Sequence, residues 1–175
     1  LDEDIGYIKL NRFSGTTSNE FYDAAKELLN SGMESLILDL RQNPGGYLDA
    51  AINVSDQFLG NKEMIVFTEG RNRKRKEFYA KKGGLLENIE VVVLVDEGSA
   101  SASEIVAGAI QDNDRGNVIG RRTFGKGLVQ EQIPLYDGSV IRLTTQRYYT
   151  PTGRNIQRPY NKGSEDYYME VYKRF

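Results

Sequence analysis

Residues 90–106 read Glu90-Val-Val-Val-Leu-Val-Asp96-Glu-Gly-Ser99-Ala-Ser101-Ala-Ser103-Glu104-Ile-Val106. The first part is a β-branched run, apolar enough to be a strand at the centre of a parallel sheet. The run breaks at Gly98 and restarts with helical spacing, carrying Ile105, Val106, Ala109 and Ile110 on one face. A buried strand that turns tightly into a helix is the repeating unit of an α/β domain.

The rest of the chain continues that alternation. Ile5 to Leu10 reads as a strand, and Thr17-Ser-Asn-Glu20 is a capping-box pattern ahead of Phe21, Ala24, Ala25, Leu28 and Leu29. Gly32 stops that helix. Ser35 to Leu40 is a second buried strand, running into Arg41-Gln-Asn-Pro44-Gly45-Gly46, where proline and paired glycines forbid continuation. A helix from about Leu48 to Leu59, a strand from Met64 to Thr68 and a short strand from Asn117 to Gly120 follow the same logic. Leu128 to Leu135 and Ser139 to Tyr149 flank Asp137-Gly138, a two-residue hairpin signal. The pattern predicts an α/β domain with a substantially parallel sheet and directs attention to the loops that follow strands.

Composition removes most hydrolytic chemistry. The 175 residues include no His, no Cys and no Trp. A Ser-His-Asp triad, a Cys-His dyad, a thiolate metal site and a disulfide framework are therefore excluded. No metal or cofactor is expected. With 23 Lys+Arg against 25 Asp+Glu the formal net charge is -2, unlike the basic balance of a nucleic-acid binder. Arg71, Arg73, Lys74, Arg75, Lys76, Lys81 and Lys82, around Phe78 and Tyr79, read as a solvated surface ribbon. The length suits one domain that buries roughly two-thirds of its unfolded surface. No apolar run reaches the ~18 residues that span a bilayer. The chain opens on Leu1 rather than Met and is expected to be an excised piece.

Three windows could carry chemistry. Ser101 stands where strand turns into helix, and a helix N-terminus with free N–H groups stabilises an alkoxide or oxyanion. The bland alternative is equally local, because Ser101-Ala-Ser-Glu104 is itself a capping box. Thr123-Phe-Gly125-Lys126-Gly127-Leu128-Val129 sets one lysine among glycines and apolar residues rather than on a charged face. A lysine that acts as general base near neutral pH must fall from about 10.4 to about 7–8, and desolvation supplies that shift. If the segment is extended, Lys126, Leu128 and Gln130 share a face, so Gln130 could orient the amine. The Pro-Gly-Gly turn is the third window, since adjacent glycines let backbone N–H groups approach a carbonyl closely. Asp39 and Arg41 read as a structural ion pair.

Taken together, LDLRQNPGG, SASASEIVAGAIQD, GRRTFGKGLVQ and YYTPTGRNIQ, in that order and spacing, resemble the catalytic core of the carboxyl-terminal processing peptidases, also called tail-specific proteases. The match runs from Ile5 to about Pro159. The resemblance implies Ser101 as nucleophile, Lys126 as general base and Gln130 as its support, with an oxyanion hole from the Ala102 N–H and a glycine of the turn, Gly46 or alternatively Gly45. It further implies a crotonase/Clp-protease-like spiral α/β core with a β-hairpin extension. Residues 1–175 would form a single serine-peptidase core, with 1–159 the core proper and 160–175 a polar, Tyr-rich tail. The implied partners are the C-termini of protein or peptide substrates and a PDZ domain outside these residues. Without that domain the fragment is expected to be weakly active or inactive. An exported, periplasm-like location is implied, and a homo-oligomer is left open. Two alternatives stand beside the peptidase: a non-catalytic peptide-binding module of the same fold, and a crotonase-like acyl-thioester enzyme.

Overall fold

The computed structural model describes residues 4–161 and 163–174. A four-stranded parallel sheet has the order β1-β2-β5-β6, from β1 (Ile5–Lys9), β2 (Ser35–Asp39), β5 (Glu90–Val95) and β6 (Asn117–Gly120). A four-stranded antiparallel sheet has the order β4-β3-β8-β7, from β3 (Met64–Gly70), β4 (Arg73–Tyr79), β7 (Leu128–Pro134) and β8 (Val140–Tyr149). The helices are α1 (Thr17–Asn30), α2 (Leu48–Asp56), α3 (Ala102–Asp112) and α4 (Ser164–Tyr172).

The two most apolar runs, β2 and β5, are the central pair of the parallel sheet, as their composition predicts, with Leu36 opposite Val91 and Leu38 opposite Val93. One apolar core joins both sheets. Leu36, Leu38, Val93 and Val95 meet Phe21 and Ala25 of α1, Ala51 and Val54 of α2, Val106 and Ile110 of α3, and Ile65 and Val66 of β3. Helix α3 is buried on every side from Ala102 to Ile110, not on the single face its spacing suggests. It is sandwiched, packing on α2, β3 and β6.

The basic stretch does form a surface ribbon: β4 is exposed over most of its length and pairs antiparallel with β3. Three local expectations need correction. Thr17 does not cap α1, because it is the first helical residue; its hydroxyl accepts from the Ser14 N–H and donates to the Arg12 carbonyl. The β7–β8 connection is not a two-residue turn. Leu135 N–H donates to Ser139 O, leaving a three-residue loop with Gly138 at φ 84°, a left-handed position that favours glycine. Helix α2 ends at Asp56, short of Leu59.

The tail, whose packing the sequence left open, lies on the segment before Lys126. Tyr167 is buried and its hydroxyl donates to Gly125 O at 3.3 Å. Arg158 lies 4.6 Å from the Phe124 ring centre and 4.2 Å from that of Tyr167. Arg174 donates to the carbonyls of Arg122 and Thr123.

At the carboxyl end of β2, the buried Asp39 carboxylate takes two donors from the Arg41 side chain, the Arg41 N–H and the Tyr7 hydroxyl. The structural ion pair expected there is formed. These bonds, the Arg41 guanidinium first, hold the Asp39 carboxyl well below the usual carboxylate range. A folded-state value below the unfolded one adds stability that is fully present above about pH 5 and is lost as pH falls below about 4. The Arg41 side chain is 49% exposed, so solvent screens part of this effect. Asp39→Asn should therefore lower stability near pH 7 by about 1–3 kcal/mol and flatten the acid limb. Urea midpoints measured between pH 7 and pH 2 check this, the wild type losing more over that range than the variant.

Candidate active site

Three loops converge beyond the carboxyl ends of adjacent parallel strands, the place where open α/β sheets bind ligands. The Pro-Gly-Gly turn follows β2, the serine turn follows β5, and the lysine segment follows β6. The β7–β8 hairpin closes the fourth side. Together they line a cavity of about 260 Å³ whose walls include Gly46, Leu48, Ser101, Ala102, Ile105, Lys126, Gln130 and Tyr148.

The three alternating serines separate by what they bond. Ser99 Oγ donates to Leu40 O at 2.8 Å and accepts from the Asp96 N–H. Ser103 Oγ donates to Asn43 O at 3.0 Å. Both are buried and tie the serine turn to the end of β2. Ser101 alone lines the cavity, at φ 56° and ψ -111°. A non-glycine residue in that region costs on the order of 1–3 kcal/mol and persists only where its surroundings hold it.

Glu104 does much of that holding. It is 3% exposed, and its carboxylate accepts from four donors. Oε2 takes the N–H groups of Ser101 at 2.8 Å and Lys126 at 2.9 Å. Oε1 takes the Thr123 hydroxyl and the Gly125 N–H, both at 2.7 Å. Burial pushes the Glu104 carboxyl above its usual range, and these donors pull it partly back. The sequence pattern marks Glu104 as half of a capping box, and it does receive the Ser101 N–H. Its second task, bonding the lysine segment about twenty residues later, leaves no local signal.

The paired glycines are required by close approach. A Cβ on Gly45 would lie 2.7 Å from Ser101 Cβ and 2.8 Å from Ala102 N, and one on Gly46 would lie 1.8 Å from Phe13 O. Their N–H groups differ. That of Gly45 donates to Asn43 Oδ1 at 2.9 Å, whereas that of Gly46 has no partner among the described residues. Ala102 begins α3, so its N–H has no intrahelical acceptor.

Lys126 and Gln130 reach the same cavity, but not by simple alternation along an extended strand. Strand β7 begins only at Leu128, and Leu128, Val129 and Gln130 all line the cavity; opposite Val129 and Gln130 the partner jumps from Gln146 to Thr144, so Thr145 is the extra residue of a bulge on β8. Bulges of this kind re-aim side chains beside functional sites. No hydrogen bond joins Ser101, Lys126 and Gln130 side chains to one another. Tyr148, which the sequence reading passed over, completes the wall from β8. Among the described residues no cluster of three or more Asp or Glu is placed to hold a metal ion.

The profile of "Peptidase family S41" matches residues 4–164. A carboxy-terminal-processing protease of Bartonella bacilliformis is 47% identical over 162 residues, covering 90% of this chain and 37% of that protein. A carboxyl-terminal-processing protease of a Picosynechococcus species is 42% identical over 156 residues, covering 89% and 37%. Among solved structures, a photosystem II D1 C-terminal processing protease superposes with a TM-score of 0.80 at 38% identity, over 87% of this chain and 39% of that one. The tricorn protease, at TM-score 0.54 and 21% identity over 86% of this chain and 13% of that one, shares the fold. The chain thus spans a little over a third of the length of the curated relatives it matches.

Glu104→Gln places an amide NH2 against donors that need an acceptor. The variant should lose about 2 kcal/mol or more of stability in urea titration. Hydrogen exchange at the Gly125 and Lys126 amides should accelerate at least tenfold, measured site by site.

Proposed function

Because the chain belongs to peptidase family S41, we propose that it is the catalytic core of a serine endopeptidase that cleaves protein substrates near their C-termini with a Ser101–Lys126 dyad. The observation that carries this reading is the single cavity in which a strained, helix-capping Ser101, Lys126 and the unpartnered Gly46 N–H meet. In a chain without histidine the candidate bases are lysine and carboxylate, and the cavity lining holds Lys126 but no Asp or Glu.

Ser101 Oγ attacks the scissile carbonyl carbon while Lys126, neutral when competent, takes the hydroxyl proton. Negative charge gathers on the former carbonyl oxygen, where the N–H groups of Gly46 and Ala102 would receive it. The engaged Gly45 N–H supports Gly46 over Gly45 in that role. The C–N bond then breaks, Lys126 returns its proton to the departing amine, and an acyl-enzyme ester remains on Ser101. Water attacks that ester, gives its proton to Lys126, and Ser101 Oγ leaves and is reprotonated. Gln130 orients the lysine amine. A thioester reaction that used only the two N–H groups would leave the strain at Ser101 without a purpose.

On the same reading, a PDZ domain elsewhere in the protein presents substrate C-termini, and the protein works in a periplasm-like compartment. Relatives at 41% and 36% identity carry chloroplastic names, in line with work outside a cytoplasm.

In the full-length protein, Ser101→Ala and Lys126→Ala should each reduce turnover of an internally quenched peptide with an apolar C-terminus by about 10⁴-fold or more, with the fold intact by circular dichroism. Wild-type turnover unchanged in either variant overturns the dyad.

A further inference from the structure

Tyr148 sits on β8 with its side chain 2% exposed and its ring in the wall of the catalytic cavity. Its hydroxyl donates to the Lys126 carbonyl oxygen, and its own N–H donates to the next carbonyl, that of Gly127, at 3.1 Å. One residue thus holds two successive carbonyls of the lysine segment. Glu104 meanwhile holds two successive N–H groups of the same segment, those of Gly125 and Lys126. Both main-chain polar groups of Lys126 thus have a buried partner.

A phenol has one proton, and here it is spent on Lys126 O, so the oxygen is left as an acceptor. Ser101 lines the same cavity as Tyr148. Burial, reinforced by the Glu104 carboxylate, pushes the Tyr148 hydroxyl well above the usual tyrosine range, with Ser101 only partly opposing. It therefore stays protonated and remains a donor to Lys126 O throughout the working pH range.

We propose that Tyr148 is a positioning residue of the acyl-transfer reaction: its hydroxyl anchors the Lys126 backbone in the cavity wall that Ser101 shares, fixing the spacing between base and nucleophile. This rests on the peptidase reading above. Spacing matters because catalytic groups gain from being held at reaction distance, and a displacement of about 1 Å can cost on the order of 10²-fold in rate. With its proton given to Lys126 O, the hydroxyl acts on the base rather than as a donor to substrate, so its loss should fall on the chemical step. Nothing in the local sequence announces this role, since Tyr148 is 22 residues from Lys126 and meets it only through the β7–β8 pairing.

The test is Tyr148→Phe in the full-length protein, which removes one oxygen and keeps the buried ring. Tyr149→Phe is the control: the neighbouring ring stacks on Phe67 at 4.9 Å, outside the cavity. Steady-state cleavage of the quenched peptide and the rate of Ser101 labelling by a fluorophosphonate are measured beside the thermal midpoint. The inference expects kcat to fall 10- to 100-fold with KM within about threefold, labelling to slow in parallel, and the folded fraction at assay temperature to stay unchanged; Tyr149→Phe keeps wild-type kcat. Unchanged kcat and labelling in a folded Tyr148→Phe overturn the inference alone, as does a rise in KM at constant kcat. A loss of kcat that only follows a loss of folded protein also overturns it, assigning Tyr148 a purely structural part. Absent turnover and absent labelling in the wild type overturn the peptidase reading, and this inference with it.

Discussion

The Glu104 carboxylate is the constraint on which the site depends. A buried carboxylate is unfavourable unless donors surround it, and here the donors come from two loops, Ser101 in one and Thr123, Gly125 and Lys126 in the other. Satisfying one charge therefore fixes the serine turn against the lysine segment. The coupling works in both directions: Ser101 can persist at φ 56° because its N–H is held, and the lysine segment can remain irregular because its N–H groups are held by the same atoms.

The fold supplies the rest by placing the ends of β2, β5 and β6 side by side. Each strand delivers one loop to a common edge; the buried side chains of Ser99 and Ser103 bind the first two loops together, and the Asn43 amide ties the Pro-Gly-Gly turn to Leu10 O after β1. The antiparallel sheet then brings Tyr148 and the β7 residues Val129 and Gln130, opposite the β8 bulge, to the open side. The arrangement is polar where loops meet and apolar behind them. That division lets a small cavity hold several main-chain dipoles without exposing the core.

Much of this was legible in the residues. The apolar runs of β2 and β5 announce central parallel strands, the Pro-Gly-Gly turn announces close approach, and the Asp39–Arg41 pair is readable from its spacing. What stayed hidden depends on long-range pairing. Which serine faces the cavity is decided by the acceptors at Leu40 and Asn43, and which glycine keeps a free N–H by Asn43 Oδ1. The two-residue hairpin reading failed because Leu135 and Ser139 extend the pairing beyond β7 and β8, and the failed cap at Thr17 reflects competition from Ser14 and Arg12. Glu104 and Tyr148 carry roles across the two sheets that no short window of sequence can contain.

The most direct test of the Ser101–Lys126 dyad is a crystal structure of the full-length protein after reaction with a peptide boronate. The dyad predicts boron bonded to Ser101 Oγ, one boronate oxygen within about 3 Å of the Gly46 and Ala102 N–H nitrogens, and Lys126 Nζ within about 3 Å of Ser101 Oγ. Boron bonded to any other residue, or Lys126 Nζ turned away from a modified Ser101, would contradict it.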